Sequence, residues 1–367
     1  MPPVIRIGLI GCGKISDAYF AGCSNYAFIK ITACADVDLA RANDKASQHQ
    51  IRAVRVNDLL ADSSIDLVVN LTIPAAHASV NTAALEAGKH VYTEKPFALD
   101  SRDGAAVLDL ARKKNLLVGC APDTFLGGGL QTARKAVDDG LIGRPVSATA
   151  FMLCRGHESW HPSPEFYYQR GGGPMLDMGP YYLTALVNFL GPIHRVAGTA
   201  QSAFPERTIT SQPQAGKRIR VETPTHVAGV IDFVSGATAT IVTSFDTYPY
   251  PFPPLVIFGT DGTLEVPDPN RFDGVVRLRR ASSDVYAELP HTHTIERGRG
   301  SGVADMALSL LRRERPHRAS GALAQHVLEV MESFEKSSIT ERHIKIASTC
   351  NRPAALPTGL ALSELDA

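Results

Sequence analysis

The chain reads as an α/β protein. A doubly wound parallel sheet at the N-terminus is followed by an α+β domain with a large, mostly antiparallel open sheet. Three observations predict this. Apolar runs without polar alternation recur through the first third of the chain, as strands buried on both faces require. Segments with helical spacing lie between them, so strands and helices alternate. Beyond residue 123 the pattern changes to period-two runs joined by short turns, the mark of antiparallel pairing.

The first run, Val4–Ile10, feeds straight into Gly11-Cys12-Gly13-Lys14-Ile15-Ser16. Gly11 suits a tight turn, and Gly13 lets backbone N–H groups approach a pyrophosphate. The helix that follows aims its positive end at the same phosphates. Ser16 stands where the usual fingerprint has a third glycine; it is small enough for close helix–strand packing. Ile31–Ala35 forms a second buried strand ending at Asp36, roughly 20 residues past the loop, where an acid accepts hydrogen bonds from a ribose diol. Helical spacing follows over Ala40–His49, and Ile65–Thr72 is a third apolar run. A helix through Ala83–Ala87 closes at Gly88. His90–Thr93, the helix Ala105–Lys114 and the strand Leu116–Cys120 complete the alternation. Residues 1–123 therefore read as a Rossmann dinucleotide-binding domain.

Residues 124–350 read as the second domain. A helix is expected over Leu130–Gly140, and strands over Val146–Leu153, Val227–Val234, Ala237–Phe245, Leu255–Gly259 and Val275–Leu278. Helices are expected over Met175–Leu190 and Gly321–Ser337. Phe204–Pro224 reads as a surface excursion, and residues 351–367 as a tail, an arm or partly disordered.

Composition narrows the function classes. The 367 residues carry 37 Lys+Arg against 37 Asp+Glu, so nothing points to nucleic acid or an anionic membrane surface. The six cysteines are scattered singly, as in a reducing compartment. The first strand follows Met1-Pro2-Pro3 directly, which leaves no room for a signal peptide. No apolar stretch approaches the ~20 residues of a membrane span. A cytoplasmic enzyme is the expectation, associating as a homodimer or homotetramer through an exposed face of the second sheet.

Two segments carry chemistry. Glu94-Lys95-Pro96 follows the strand His90–Thr93, so Lys95 falls at the carboxyl end of a parallel strand, where open α/β sheets place their ligands. The proline stiffens that turn and admits a cis bond. Gly171-Gly172-Gly173 leads into a helix carrying Asp177 and Tyr181, four apart and on one face. A phenol with a neighbouring carboxylate suits proton transfer.

Four features in order then resemble the Gfo/Idh/MocA family of sugar and cyclitol oxidoreductases: Gly11-Cys12-Gly13; Thr72-Ile73-Pro74 with His77; Glu94-Lys95-Pro96; and the Gly171–Tyr181 segment. The resemblance implies a catalytic lysine at Lys95 and an active-site aspartate at Asp177. Many members have a histidine where this chain has Tyr181, whereas glucose–fructose oxidoreductase is similar to it in having tyrosine. The change raises the intrinsic pKa of the proton carrier from ~6.5 to ~10, and a nearby Lys95 lowers it again. Either Lys95 or Tyr181 moves the proton.

The family implies NAD(P) and hydride transfer at a secondary alcohol of a pyranose, glycoside or cyclitol. Gly11, Gly13, Lys14, Ile15, Asp36, Arg41, Thr72, Pro74, His77, Glu94 and Lys95 are the expected cofactor contacts. Asp36 favours NAD, because an acid there repels a 2′-phosphate, and nearby Arg41 leaves room for NADP. Lys95, Asp177, Tyr181, His157, Trp160 and His161 are the expected substrate contacts, with Trp160 stacking on a sugar face. His157–His161 matches HExxH literally, but Gly156, Pro162 and Pro164 break the helix that zinc ligation needs, so no metal is expected. His291 and His293 read as alternate residues of a strand. Two other functions stay open: NAD-dependent glycoside cleavage through transient oxidation, and a non-catalytic cofactor sensor.

Overall fold

The first apolar run forms β1 (Ile5–Ile10), with Ile7 and Leu9 fully buried. Polar spacing turns the chain into helices α1 (Ser16–Cys23), α2 (Leu39–His49) and α3 (Val56–Ala61), which alternate with β2 (Ile29–Ala35) and β3 (Arg52–Ala53). Next come β4 (Leu67–Asn70), α4 (His77–Glu86), β5 (His90–Thr93), α5 (Ser101–Lys114) and β6 (Val118–Cys120). These six strands form one sheet in the order β3-β2-β1-β4-β5-β6, every pair parallel. Leu67, Val68 and Val69 are at most 1% exposed, so β4 is covered on both faces, as its unbroken apolar run demands.

The computed structural model describes residues 3–312 and 315–366 and divides the chain into two units. The first takes Met1–Gln131, Thr292–Gln325 and Pro353–Ala367; the second takes Thr132–His291 and His326–Arg352. These boundaries differ from a division in chain order at 123 and 350. The reason is that the parallel sheet recruits later segments as cover. Ala319 accepts a hydrogen bond from the Cys120 N–H, and the buried Asp123 carboxylate accepts those of Gly300 and Gly302.

The tail is also ordered. Arg297 donates to the carbonyls of Ala361, Leu362 and Glu364, and Arg318 to those of Ala354 and Ala355. Asp305, with no exposed surface, binds Arg315 and Arg318 at 2.5 Å each. Both arginines also pair with Asp366. Such a buried network is costly to break once built, because the partner left behind is an uncompensated charge.

In the second unit α6 (Gly128–Asp138), which begins in the first unit, leads to β7 (Pro145–Leu153), α7 (Gly173–Leu190) and β8 (Ile193–Gln201). Phe204–Pro224 carries a two-stranded ribbon, β9 (Glu206–Thr208) with β10 (Arg218–Arg220). Strands β11 (His226–Phe233), β12 (Thr238–Ser244), β13 (Leu255–Gly259), β14 (Gly262–Val266), β15 (Val276–Arg280) and β16 (Ala287–Leu289) follow. After α8 (Ser301–Leu311) of the first unit and α9 (Gly321–Thr340), β17 (Ile344–Lys345) ends the series. The nine-stranded sheet runs β16-β15-β14-β13-β7-β12-β11-β8-β17, and only β7 with β12 is parallel. Against the strand reading of His291 and His293, both lie in irregular chain: His291 Nε2 faces the Gly274 carbonyl and His293 Nε2 that of Leu356. Among the described residues, no helix is long and apolar enough to cross a membrane.

Candidate active site

In the first unit the expected residues gather at the carboxyl ends of β1, β2, β4 and β5. Gly11 has φ 101°, and a β-carbon there would stand 2.6 Å from the Leu71 carbonyl, so the turn admits only glycine. A β-carbon on Gly13 would meet nothing within 4 Å. The loop is therefore bare where a pyrophosphate would lie, and a side chain would fill that cradle. Lys14 is exposed in the same turn and Ile15 is half-buried. The Ser16 hydroxyl donates to the Gly13 carbonyl at 2.7 Å and closes the loop onto α1.

Asp36 is drawn against this loop. One carboxylate oxygen accepts the Cys12 N–H at 2.7 Å and the other accepts the Asp38 N–H at 2.9 Å. Arg41 is exposed on α2 and pairs with Asp38 at 3.3 Å.

The turn after β4 is pinned by Asn70, whose Oδ1 accepts the Thr72 N–H and hydroxyl at 3.2 and 2.7 Å. Its amide donates to the His77 carbonyl at 3.2 Å and to Asn81 Oδ1 at 2.8 Å. Pro74 opens the single turn before α4.

After β5, Glu94 is only 7% exposed. It accepts the Tyr19 hydroxyl at 2.8 Å and the Lys95 N–H at 2.9 Å, with Arg299 at 3.8 Å. These bonds fix the backbone from which the half-buried Lys95 side chain leaves. The Lys95–Pro96 peptide is cis. Glu94 and His77 were both expected at the cofactor, yet both are turned into protein. His77 has no exposed surface, and burial holds its ring below the usual imidazole value.

In the second unit the glycine run packs closely against neighbouring backbone. Gly173, at φ 82°, approaches the Pro224 carbonyl so closely that a β-carbon would stand 2.7 Å from it. It starts α7, on which Asp177 and Tyr181 lie a turn apart. Asp177 is partly exposed and Tyr181 is 4% exposed. His157 Nε2 lies 3.9 Å from Asp177 Oδ2, and its ring packs on Tyr167 and Phe245 at 4.0 and 4.5 Å between centroids. Residues 157–161 form a turn rather than a helix. Trp160 is 59% exposed, and His161 Nδ1 accepts the Ser163 N–H at 3.1 Å.

Sequence reasoning missed what holds this loop. Glu158 pairs with Arg207 at 2.8 Å and with the Tyr168 hydroxyl, and its carbonyl accepts the Thr210 and Ser211 N–H groups. Arg207, almost fully buried, also binds Asp246. Among the described residues, no group of three His, Cys, Asp or Glu side chains is placed to hold a metal.

Comparison with known proteins gives a consistent picture. Residues 5–121 match the family model described as oxidoreductase family, NAD-binding Rossmann fold, and residues 130–265 match the GFO/IDH/MocA C-terminal domain. An uncharacterized oxidoreductase of Schizosaccharomyces pombe is 32% identical over 153 residues, 40% of each chain. The dTDP-3,4-didehydro-2,6-dideoxy-alpha-D-glucose 3-reductase of Saccharopolyspora spinosa is 31% identical over 206 residues, 54% of this chain and 60% of that protein. The matches span about 40–60% of the length of these curated relatives. Levoglucosan dehydrogenase, solved with NADH and levoglucosan, superimposes with a TM-score of 0.80 at 20% identity over 94% of this chain and all of its own.

Proposed function

Because the chain belongs to the GFO/IDH/MocA oxidoreductase family, we propose that it transfers a hydride between NAD and a secondary hydroxyl or ketone of a sugar, glycoside or cyclitol. The observation that carries this reading is Lys95. It leaves the carboxyl end of a parallel strand, and its backbone is held by the buried Glu94. The same sheet end bears a glycine loop bare at Gly13 and the Asp36 carboxylate. The names of the relatives support the substrate class: one reduces a nucleotide-linked sugar, and another is a levoglucosan dehydrogenase.

When bound, NAD supplies the hydride acceptor. The Gly11–Ser16 turn would hold its pyrophosphate through backbone N–H groups, and Asp36 its adenosine ribose diol. Lys95 hydrogen-bonds the reacting oxygen of the substrate and favours its anionic form. Asp177 holds a neighbouring hydroxyl, and Tyr181 is the second proton-carrying group. His157 and His161 bond further hydroxyls, and the exposed ring of Trp160 offers a stacking face for a sugar.

The test is a panel of sugars, polyols and glycosides, followed by reduction of NAD and of NADP across pH. Turnover of a ring secondary alcohol is expected, and K95A is expected to lower kcat by ~10²–10⁴-fold. No turnover anywhere in the panel, or an unchanged kcat in K95A, would overturn the reading.

A further inference from the structure

His77 opens α4 with no surface exposed to solvent. Its two ring nitrogens reach in different directions. Nδ1 lies 2.6 Å from the Pro96 carbonyl, and Nε2 lies 3.0 Å from the Thr72 carbonyl. The first carbonyl belongs to the turn that carries Lys95, the second to the turn that follows β4. Asn70 holds the Thr72 turn and the His77 backbone from β4, so the imidazole stands on a fixed base.

We propose that His77 is a positioning residue: its imidazole is a strut that sets the Lys95–Pro96 turn against the Thr72–Pro74 turn. A neutral ring carries one N–H, so it donates to one carbonyl at a time, to Pro96 from Nδ1 in one tautomer and to Thr72 from Nε2 in the other. Glu94 and Lys95 are the charged groups that face the ring, with opposite effects on its proton affinity. Pro96 has no N–H and Thr72 already spends its own on Asn70, so the two carbonyls are what each turn has left to offer the ring.

The chemistry of the contacts allows them to be separated. The amide of asparagine overlays Nδ1 of histidine, and the amide of glutamine reaches the position of Nε2. H77N therefore reproduces the bond to Pro96 made by one tautomer and H77Q the bond to Thr72 made by the other, while H77A makes neither. Misplacement of a reacting group by about 1 Å costs up to ~10²-fold. H77A is expected to lower kcat by at least ~10-fold and to raise KM for NAD, with H77N restoring mainly kcat and H77Q mainly KM.

The role of His77 in the reaction rests on the reading of Lys95 above, so K95A is measured alongside. An unchanged kcat in K95A fails that reading and leaves the strut to be judged by hydrogen exchange. In H77A, amides of residues 72–78 and 94–98 should lose protection together while β1 and β2 keep theirs. Wild-type exchange in both segments, or equal recovery by both amide variants, would overturn the strut.

Discussion

Asp123 offers a sharp test of how the first unit balances burial against charge. Its carboxyl has no exposed surface. One oxygen accepts the Gly300 and Gly302 N–H groups at 2.9 Å each, while the other is buried with no hydrogen-bond partner. Burial raises its pKa and neighbouring Glu94 raises it further. Arg299 and the two backbone bonds pull it down, and the balance leaves it at about 6 against an ordinary 3.8. A carboxyl raised in the native state binds its proton more tightly folded than unfolded. The native state therefore loses stability as pH climbs from the unfolded value through 6, and the gap of about two pH units corresponds to ~3 kcal/mol. About half of that, ~1.4 kcal/mol, falls between pH 5 and pH 8.

Asp123→Asn keeps an oxygen for the two glycine amides and removes the charge. Relative to wild type, D123N should gain ~1.4 kcal/mol of stability from pH 5 to pH 8. Native-state hydrogen exchange of the β6 and α8 amides, corrected for intrinsic rates, reads this for the first unit alone. A wild-type-minus-variant difference that stays flat with pH would refute the reasoning. A difference of opposite slope would show that Arg299 outweighs desolvation.

Two further outcomes are expected. Asp36→Ser should raise KM for NAD by about 10-fold and improve the use of NADP, because it removes both the ribose acceptor and the repulsion of a 2′-phosphate; an unchanged ratio of the two cofactors in steady-state kinetics would place Asp36 away from the ribose. Arg318→Met should destabilise the first unit by about 3 kcal/mol, the lower end for a broken buried pair because Arg315 still faces Asp305; urea unfolding indistinguishable from wild type would show that Arg315 alone suffices.

What was legible in the sequence was what neighbouring residues decide together. The Gly11–Ser16 loop, Asp36 and the Lys95 turn are set by strand ends and glycine spacing over a few positions, and they gather at one end of the parallel sheet. The helix carrying Asp177 and Tyr181 was legible for the same reason. Strand β8 was not, because residues such as His194, Arg195, Thr199 and Gln201 are exposed and blur the alternation. The Glu158–Arg207–Asp246 network joins residues 39 and 49 positions apart, and no local pattern announces such a pairing. The burial of His77 between two carbonyls was not legible, and the residue read as a cofactor contact instead, because a carbonyl has no sequence signature. The tail read as an arm because its prolines break periodicity; its order comes from Arg297, Arg315 and Arg318, which precede it by dozens of residues.

The three-stretch make-up of the first unit bears on how the chain is made. As the polypeptide leaves the ribosome, β1 to β6 emerge early, but Asp123 waits for Gly300 and Gly302, and Arg297 and Arg318 wait for residues 354–366. Synthesis of the whole intervening sheet takes place while that half-built sheet lacks its cover. A truncated N-terminal fragment ending at residue 123 is for this reason a poor stand-in for the folded unit. Loss of residues 353–366 should be read as a lesion of the nucleotide-binding unit, although those residues follow the whole nine-stranded sheet in the chain.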